Sequence, residues 1–563
     1  MKLTTVRMAL LVFFCGQAFA AEVTKPNVLF IAVDDLKPVL GCYGDKVIKS
    51  PNIDRLAKRG VVFERAYCNQ AVCAPSRNSL MTGVRPTTLG IYDLGTNFRL
   101  ASSNAVTLSQ YFMRQGYRAE ALGKIFHVGH GNHEDPASWS VPHFQARSIA
   151  YMLPESRSNQ SVTREEALFA NNPEVAKLPR GAAYESAPVA DGEYPDGKIA
   201  DEAVRRLQSA KKKPGEPFFL AVGFLKPHLP FCAPKKYWDF YDRASFTVPS
   251  LRTPPEGAPK YAPTSWGELR QYSDMPETGP LTDDQARMLI HGYHAAVSYM
   301  DAQLGRVLDE LDRLQLATNT IIVLWGDHGW HLGDHGQWCK HSNYEQAARI
   351  PLIVAAPGVT KPGTRATKAL VETVDLYPTL AELAGLPAPS VPQGMEGKSF
   401  VPALRDPAFA PKNQIFHVYP RGERLGRAVR TARYRLVEWK VPGRAADTAD
   451  LELYDYETDP LETKNLAADQ PEVVSRLLAL LAKLPEAKPQ IKDARATTRQ
   501  KQDRTALFEK KDMNHDNQLT RTEFLANQPD PAEAPKRFDR FDVNKDGVLS
   551  RDEFIYTDAP SKP

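Results

Sequence analysis

The sequence predicts an α/β protein in which helices cover both faces of a large, mostly parallel sheet. Continuous apolar runs within 26–35 and 319–329 each end in acidic residues. Continuous rather than alternating apolarity is typical of strands that are buried on both faces. Segments with helical spacing of apolar residues, such as 286–315, alternate with such runs. In sheets of this kind, functional side chains gather at the carboxyl ends of the strands.

The first twenty residues have the pattern of a signal peptide. Lys2 and Arg7 flank the start of a short apolar run, Met8 to Phe14, and 18–20 reads Ala-Phe-Ala, an A-x-A cleavage site. The apolar run is too short to span a bilayer. Cys15 would suggest a lipoprotein, but the two bulky phenylalanines before it do not fit a lipobox. We therefore expect a periplasmic or secreted protein without a membrane anchor.

Composition places the chain among soluble globular proteins of two or three folding units. Its 563 residues are 42% apolar and 25% charged. The net charge of +4 gives no argument for a nucleic-acid partner or an anionic membrane. Five of the six cysteines remain after cleavage, and their spacing fits no zinc site. An odd number leaves at least one cysteine without a disulfide partner, and that cysteine needs another explanation.

The pattern of apolar and polar residues changes near residue 396. We expect the main α/β domain over 21–395 and a smaller α+β subdomain over 396–484. Within the subdomain, 426–440 and 451–460 have the pattern of antiparallel strands, and 473–484 that of an amphipathic helix. Residues 485–503 are polar, contain proline and predict a linker.

The last sixty residues, 504–563, contain one internal repeat. Two twelve-residue loops begin at Asp512 and Asp542, and each has an acid or amide at positions 1, 3 and 5, a hydroxyl at 9 and Glu at 12. This is the pattern of a pair of EF-hand loops that bind up to two Ca²⁺ ions. The predicted ligands, with backbone carbonyls from the residues at position 7, are Asp512, Asn514, Asp516, Gln518 and Glu523, then Asp542, Asn544, Asp546, Val548 and Glu553.

The two loops differ at their turn position. The second has Gly547, whereas the first has Asn517, which tolerates a left-handed backbone, so we expect the first loop to be weakened rather than abolished. Leu519 and Leu549 are placed to pair in a short β-bridge. A cohesin-docking module is an alternative, but Glu at position 12 and a phenylalanine-bearing helix before each loop favour EF-hands.

Cys73 lies in the polar segment Cys-Ala-Pro-Ser-Arg at 73–77 and has three possible interpretations. A free cysteine is usually a buried structural thiol. Cys73, however, lies in a polar turn and not in a core strand. A thiolate nucleophile would gain from Arg77 nearby. An exposed thiolate in an oxidising compartment is, however, liable to oxidation. The third interpretation is that this cysteine is a precursor of another group.

That third interpretation comes from a resemblance. The segment 73–77, continuing as Leu-Met-Thr-Gly at 80–83, resembles the C-x-P-S-R maturation motif of type I sulfatases, whose cysteine is oxidised to Cα-formylglycine. Four further blocks agree in order, and together they resemble the iduronate-2-sulfatase branch over roughly 25–470. The resemblance implies the alkaline-phosphatase-like sulfatase fold, with a C-terminal α+β subdomain and the EF-hand pair appended. The four further blocks are 34–35, 116–127, 226–231 and 327–345.

The resemblance implies an enzyme that hydrolyses sulfate esters, which we expect to belong to a sulfated saccharide. A hydroxyl of the formylglycine hydrate would attack sulfur with the assistance of one Ca²⁺ ion. A formylglycine-generating maturation enzyme is the implied partner. Hard oxygen ligands favour Ca²⁺ or Mg²⁺, and His328 departs from that preference. The ligands implied by the resemblance are Asp34, Asp35, Asp327, His328 and the residue at Cys73.

The resemblance also assigns catalytic roles. Arg77 would hold a hydroxyl of the hydrate and help to set up residue 73. Lys124 and His127 would contact the hydrate and the sulfate. His228 would be the general acid for the leaving oxygen, and Lys340 would contact the sulfate and the leaving group.

Two other functions stay open at this point. Phosphate and phosphonate monoester hydrolases share the superfamily, although the blocks at 123–127 and 226–231 favour sulfate. A non-catalytic, calcium-dependent binder of sulfated glycans is the second, but binding needs no aldehyde and the motif at 73–77 is intact. We expect the insertion at about 131–197 to form a wall of the pocket. Candidates to line the pocket are Trp330, His331, His335 and Trp338.

Overall fold

The computed structural model describes residues 25–146, 151–172, 175–363, 366–491, 504–505, 507–526 and 534–556. The predicted signal peptide and most of the predicted linker lie outside these residues. Within them, no helix combines the length and the apolarity needed to cross a membrane.

The strands are numbered along the chain. They are β1 (Asn27–Val33), β2 (Val61–Tyr67), β3 (Arg118–Gly123), β4 (Tyr184–Ala187), β5 (Phe218–Phe224), β6 (Phe231–Pro234), β7 (Thr320–Gly326), β8 (His331–Leu332), β9 (Trp338–Cys339), β10 (Arg349–Ile350), β11 (Leu352–Ala355), β12 (Thr367–Glu372), β13 (Gln414–Arg421), β14 (Arg424–Thr431), β15 (Tyr434–Lys440), β16 (Asp450–Asp455), β17 (Gln518–Thr520) and β18 (Val548–Ser550).

The helices are numbered in the same way, and residues 507–511 are also helical. They are α1 (Pro51–Arg59), α2 (Cys73–Thr82), α3 (Pro86–Leu89), α4 (Phe98–Ala101), α5 (Leu108–Arg114), α6 (Arg164–Phe169), α7 (Pro195–Lys211), α8 (Lys235–Trp238), α9 (Asp283–Arg313), α10 (Glu345–Ala348), α11 (Leu376–Leu383), α12 (Val401–Arg405), α13 (Pro471–Leu481), α14 (Arg521–Leu525), α15 (Ala534–Phe541) and α16 (Arg551–Tyr556).

An eight-stranded mixed sheet forms the centre of the main domain. Strands β3, β5, β1 and β7 lie side by side and are parallel. Strand β11 is antiparallel to both β7 and β2, and β12 pairs parallel with β2. Pro351 separates β10 from β11, since proline cannot donate to the ladder. The predicted α/β class is confirmed, with β11 as an antiparallel member among mostly parallel strands.

Strand β1 shows why its sequence is continuously apolar. Successive side chains of a strand point to opposite faces. Leu29 and Ile31 enter the hydrophobic core that also contains residues of α1, α7 and α9. Val28 and Phe30 enter a second core, which contains residues of α2, α5 and α11. Both faces of the sheet are therefore covered by helices, as the sequence predicts.

The C-terminal subdomain is an antiparallel meander of β13 to β16 with α13 packed against it. Its strands and helix confirm the elements predicted at 426–440, 451–460 and 473–484. Residues 485–491, which the sequence assigns to the linker, instead pack on the main domain. The amide of Lys488 donates to the carbonyl of Thr87, and that of Ile491 donates to the carbonyl of Gly90. These backbone hydrogen bonds could not be predicted from the polar composition of 485–491.

The C-terminal repeat folds around its own core. Strands β17 and β18 pair antiparallel with Leu519 opposite Leu549, which confirms the predicted bridge. Asn517 has a φ of 62°, so asparagine does adopt the left-handed turn that Gly547 makes in the second loop. Phenylalanines at 508, 524, 538, 541 and 554 fill the core of this unit.

Candidate active site

The predicted site residues meet at the carboxyl ends of the parallel strands. Asp34 and Asp35 follow β1, Lys124 follows β3, Lys226 follows β5, and Asp327 follows β7. Because these strands are neighbours and parallel, their ends bring residues from distant parts of the chain to one edge. The first turn of α2 faces the same edge and supplies the residue at position 73.

Cys73 is buried at the first position of α2. Its Sγ lies 3.5 Å from Asp34 Oδ1, 3.3 Å from His328 Nε2 and 3.5 Å from Lys124 Nζ. Burial, together with the charge of Asp34, raises the pKa of the Cys73 thiol well above its usual range, although Lys124 acts in the opposite direction. This environment disfavours a thiolate. All five cysteines in the described residues are free.

Arg77 lies one helical turn after Cys73, on the same face of α2. Its guanidinium is fully buried. Nε donates to Asp327 Oδ2 at 2.9 Å and Nη2 donates to Asp34 Oδ1 at 3.1 Å. Nη1 donates to the carbonyls of Lys124 and Ile125. One side chain therefore fixes the ends of β1, β3 and β7 relative to α2.

Four of the predicted ligands form a compact group. The ligand atoms of Asp34, Asp35, Cys73 and His328 all lie within 4.8 Å of one another. His328 Nδ1 lies 3.0 Å from the carbonyl of Gly329, which leaves Nε2 facing the group.

Asp327 lies beside this group. Its Oδ1 is 3.7 Å from His328 Nε2 and accepts the amides of Asp35 and His328. The structure thus places all five predicted positions together, and their binding of a cation stays a prediction.

The charges around the two adjacent aspartates differ. Lys124 pairs with Asp34, and this charge, with those of His228 and Arg77, outweighs burial and holds the pKa of Asp34 well below its usual range. Lys340 pairs with Asp35 at 3.1 Å. Burial nevertheless raises the pKa of Asp35, and the like charge of Asp34 beside it adds to this effect.

Glu268 is a charged residue of the site that the sequence analysis missed. Its carboxylate lies 2.8 Å from Lys340 Nζ and 3.2 Å from His228 Nε2. It lies on an irregular segment between 251 and 282 and belongs to none of the sequence blocks that matched. In the sequence, Glu268 is one acid in a proline-rich stretch, and this pattern is too common to predict a site residue.

His228 and its neighbours are held by backbone contacts. The His228 Nδ1 lies 2.5 Å from the carbonyl of Leu229, so Nε2 is the nitrogen that faces Glu268. Lys226 donates to the carbonyls of His228 and Pro230 at 2.8 and 2.6 Å. Lys226, which the sequence places only after a strand, therefore positions the His228 segment.

His127 is buried beside His130, with 3.2 Å between His127 Nε2 and His130 Nδ1. Burial and the nearby Lys124 hold the pKa of His127 well below its usual range. The ring of Phe169, from α6, lies 5.9 Å from the His127 ring and 5.7 Å from the His228 ring.

A cavity of about 510 Å³ opens onto Asp34, Lys124 and His228. Its opposite wall is formed by residues of the insertion, from Arg157 to Asn172. The prediction that the insertion forms a pocket wall is therefore confirmed for the described residues of that segment.

The four candidates at 330–338 are not among the described residues that line this cavity. His331 Nε2 instead lies 2.9 Å from the Ser342 hydroxyl, and His335 stacks on Tyr344. The ring centroid of Trp330 lies 5.1 Å from Lys340 Nζ. Their place after Asp327 in the sequence predicted the pocket, but all four side chains are buried, and His331 and Trp338 lie on the paired strands β8 and β9.

The two C-terminal loops have matching geometry. Asp512 accepts the amides of Asp516 and Asn517 at 3.1 and 2.9 Å. Asp542 accepts the amides of Asp546 and Gly547 at 3.1 and 3.0 Å. The loop oxygens are therefore arranged alike in both repeats.

Three family profiles match the chain. The profile described as Sulfatase matches residues 26–386. The profile described as N-sulphoglucosamine sulphohydrolase, C-terminal, matches 333–488. An EF-hand profile matches 536–555, which contains the second of the two loops.

Two curated relatives are similar over most of the chain. Iduronate 2-sulfatase of Mus musculus is 40% identical over 395 residues, which cover 64% of this chain and 69% of that protein. Iduronate 2-sulfatase of Homo sapiens is 36% identical over 523 residues, which cover 79% of this chain and 91% of that protein.

Solved structures share the fold at lower identity. A protein solved in complex with its substrate D-glucosamine-2-N,6-O-disulfate has a TM-score of 0.63 at 22% identity, over 82% of this chain and 97% of that one. The phosphonate monoester hydrolase of Agrobacterium radiobacter has a TM-score of 0.62 at 22% identity, with the same coverage. At this identity the likeness shows the fold alone.

Proposed function

The chain belongs to the sulfatase family and is a sulfuric ester hydrolase similar to iduronate 2-sulfatase, and we propose that it acts on a sulfated saccharide through formylglycine made from Cys73. The observation that carries this proposal is the position of Cys73, buried among Asp34, Lys124 and His328. A saccharide substrate is supported by the similarity to the two iduronate 2-sulfatases, and export by the predicted leader.

The environment of Cys73 favours a precursor over a thiolate nucleophile, because burial raises its pKa. The hydrated aldehyde of formylglycine supplies one hydroxyl to attack sulfur and a second whose deprotonation releases sulfate, a route that serine and cysteine lack. The maturation enzyme must act before folding, since the folded chain buries position 73.

The donor set fits one calcium ion. Carboxylate oxygens of Asp34, Asp35 and Asp327 are hard ligands, and His328 directs Nε2 toward them. Burial, together with the like charge of Asp34, raises the pKa of Asp35, and a divalent cation beside it would favour the charged carboxylate. When bound, calcium would polarise a sulfate oxygen and favour the attacking hydroxyl.

The surrounding residues of the chain bind and orient the sulfate ester. Lys124 and Lys340 provide preorganised positive charge in a buried site, where electrostatic interactions are strong. Arg77 fixes Asp34 and Asp327 around residue 73 and contributes positive charge next to the hydrate, and His127 contacts the sulfate.

The Nδ1–H of His228 donates to a backbone carbonyl, so His228 gives a proton from Nε2 to the leaving oxygen as the imidazolium. Burial lowers the pKa of His228, and the carboxylate of Glu268, 3.2 Å from Nε2, acts in the opposite direction and favours that charged form.

The C-terminal repeat is proposed to bind up to two further calcium ions through the loop residues named above. Its paired loops, matching hydrogen bonds and separate core support this.

Two measurements test the proposal together. The protein is coexpressed with a formylglycine-generating enzyme, and the peptide containing Cys73 is examined by mass spectrometry. Sulfate release is then followed across defined sulfated saccharides, with a phosphonate monoester for comparison. We expect a lower mass at residue 73 and turnover of at least one saccharide sulfate. An unmodified Cys73 with full turnover would contradict the mechanism, and a faster phosphonate reaction would contradict the substrate class.

A further inference from the structure

A large groove lies between the main domain and the C-terminal subdomain. Residues of β2 and β12 form one side, and residues of the β14–β15 turn and of α13 form the other. Its volume of about 1400 Å³ exceeds the 510 Å³ of the active-site cavity, and the two have no described lining residue in common. Sites for small molecules are usually smaller than this, so the groove has room for an extended chain.

Positive charge predominates in this groove. The single acid among its described lining residues is Asp406. Two of the cations are neutralised by acids of the surrounding structure, since Lys412 pairs with Glu372 at 2.7 Å and Arg433 pairs with Asp455 at 2.7 Å. The other three have no acid within ion-pair distance in the part of the chain that the structure describes. We call this the basic groove, and its five cations are Arg65, Lys368, Lys412, Arg433 and Arg476.

The three unpaired cations come from different elements of the fold. Arg65 lies on β2, opposite Leu370 of β12, and is half-buried. Lys368 lies on β12 and Arg476 on α13, and both are exposed. Folding therefore brings charges that are far apart in the sequence to one groove and leaves them available to a ligand.

Tyr434 supplies an aromatic ring beside these charges. Its side chain lines the basic groove and is half-buried. The guanidinium carbons of Arg433 and Arg476 lie 4.8 and 5.9 Å from the centroid of its ring. An aromatic ring can pack on the apolar C–H face of a sugar, while guanidinium groups beside it donate to anionic oxygens. The groove thus offers both kinds of contact that a sulfated sugar chain can use.

Other grooves on the described surface do not share this excess of positive charge. One of them is lined by Arg118 and Arg206, but it also contains Glu120, which pairs with both. Another has one cation, Arg243, against two acids. The formal net charge of the whole chain is only +4. The charge of the basic groove is therefore a local feature, of the kind that attracts an anionic partner.

We propose that the basic groove binds a sulfated polysaccharide at a site separate from the active-site cavity. The inference extends the proposed function, because it takes the sulfated saccharide to be part of a polymer. A concave groove fits a linear chain better than it fits the flat surface of a membrane. Binding there keeps the protein on the polymer while the active site releases sulfate, since a second contact raises the local concentration of the first.

The test measures binding of dextran sulfate by calorimetry, with unsulfated dextran as the neutral control. The protein is the full chain with Cys73→Ser, so that no sulfate is released during the measurement. We expect the triple variant Arg65→Gln, Lys368→Gln, Arg476→Gln to raise the Kd for dextran sulfate about 10-fold at about 0.1 M NaCl. At about 1 M NaCl the difference should disappear, because salt screens exposed charges.

Two further variants control for total charge and for folding. The triple variant Arg114→Gln, Lys212→Gln, Arg444→Gln removes the same charge from exposed positions outside the groove, and should leave the Kd nearly unchanged. The double variant Arg65→Lys, Arg476→Lys keeps the charge of the groove and should retain most of the affinity. Thermal midpoints of all variants should agree with that of the parent chain.

An equal loss of affinity in the groove and control triple variants would overturn the inference. Binding to phosphatidylglycerol vesicles but not to dextran sulfate would also overturn it, since the partner would then be a membrane surface. The proposed function is tested separately, because binding is measured without turnover. A matured wild-type chain that binds dextran sulfate through the groove but releases sulfate from no saccharide would contradict the proposed function and support the inference.

Discussion

At the scale of single residues, Cys73 is the proposed centre of the chemistry, and its neighbours fix its position. Arg77 makes charged hydrogen bonds to Asp34 and Asp327 while fully buried. Buried charges are tolerated when they are paired and hydrogen-bonded, as these are. The site is therefore charged but internally balanced, so a substrate sulfate meets side chains that are already oriented.

Replacing Cys73 by serine should abolish sulfate release and leave folding intact. The hydroxyl is close in size to the thiol, but it is not the maturation enzyme's expected substrate and forms no aldehyde. Turnover is measured as sulfate released, and folding by circular dichroism and the thermal midpoint. Cys42→Ser, at a half-buried thiol outside the site, should retain full activity. Residual turnover in the Cys73 variant would show that the hydrate is dispensable.

The residue scale also shows where sequence reasoning stops. Asp34 and Asp327 were predicted because they directly follow buried strands, a position that the fold makes functional. Glu268 was not, because its segment has no strand and no helix longer than the 3₁₀ turn Leu269–Gln271, and it reaches the site only through tertiary packing. Arg157 lies in an insertion without periodicity, so only the folded structure shows that it lines the cavity beside Asp34, Lys124 and His228.

At the scale of elements, the ends of β3 and β5 approach unusually closely. Gly123 and Gly223 lie opposite each other in the parallel register, and the Lys124 amide donates to the Gly223 carbonyl at 2.9 Å. A Cβ on Gly223 would lie 2.2 Å from the Lys124 carbonyl oxygen. That oxygen accepts a hydrogen bond from Arg77, so the glycine pair positions both Lys124 and the backbone that Arg77 contacts.

Gly223→Ala should therefore lower both stability and activity, although it touches no substrate. We expect the displaced strand to cost about 1–3 kcal/mol, as overpacking usually does, and kcat to fall because Lys124 moves. Urea unfolding and sulfate release measure the two effects. Gly215→Ala is the matched control, since an added Cβ there meets nothing within 4 Å. Unchanged kcat in the Gly223 variant would show that the approach of the strands does not set the position of Lys124.

The end of β12 is tied to the rest of the domain by a buried ionic group. Glu372 pairs with Arg85 and Lys412 at 2.8 and 2.7 Å. Burial alone would raise the pKa of Glu372, but these two cations outweigh it and lower the pKa to about 2. A carboxylate with a lowered pKa in the folded state adds stability above its unfolded pKa, and this stability is lost as the pH falls through the folded pKa.

Glu372→Gln should accordingly destabilise the protein at neutral pH and not at strongly acidic pH. The shift from 4.5 to about 2 corresponds to about 3 kcal/mol. The difference from wild type should shrink as the pH falls from about 4.5 toward 2. Thermal midpoints across this range measure it. Glu457→Gln, at an exposed acid paired with Arg433, should change little. A pH-independent difference at Glu372 would indicate lost packing rather than lost charge.

At the scale of the whole molecule, the sequence predicted the layers better than the strand directions. Two-sided apolarity identified β1 and β7 as central because each side chain has a core to enter. Continuous apolarity in β11 does not predict whether this strand runs parallel or antiparallel to its neighbours, since a buried antiparallel strand is equally apolar. Backbone hydrogen bonds, which leave no trace in composition, attach 485–491 to the main domain.

The C-terminal unit should be separable from catalysis. Its core is made of its own phenylalanines, and its proposed calcium ligands all lie within 512–553. We expect a chain without residues 504–563 to keep its kcat and KM at saturating calcium, because every active-site residue lies before 341.

Equilibrium dialysis provides the matching measurement. The number of bound calcium ions should fall from as many as three in the full chain to one in the shortened chain. The double variant Glu523→Gln, Glu553→Gln should give the same count with the unit still present, because each change removes the bidentate ligand of its loop. Loss of turnover in the shortened chain but not in the double variant would assign the unit a role in folding or substrate contact that does not depend on calcium.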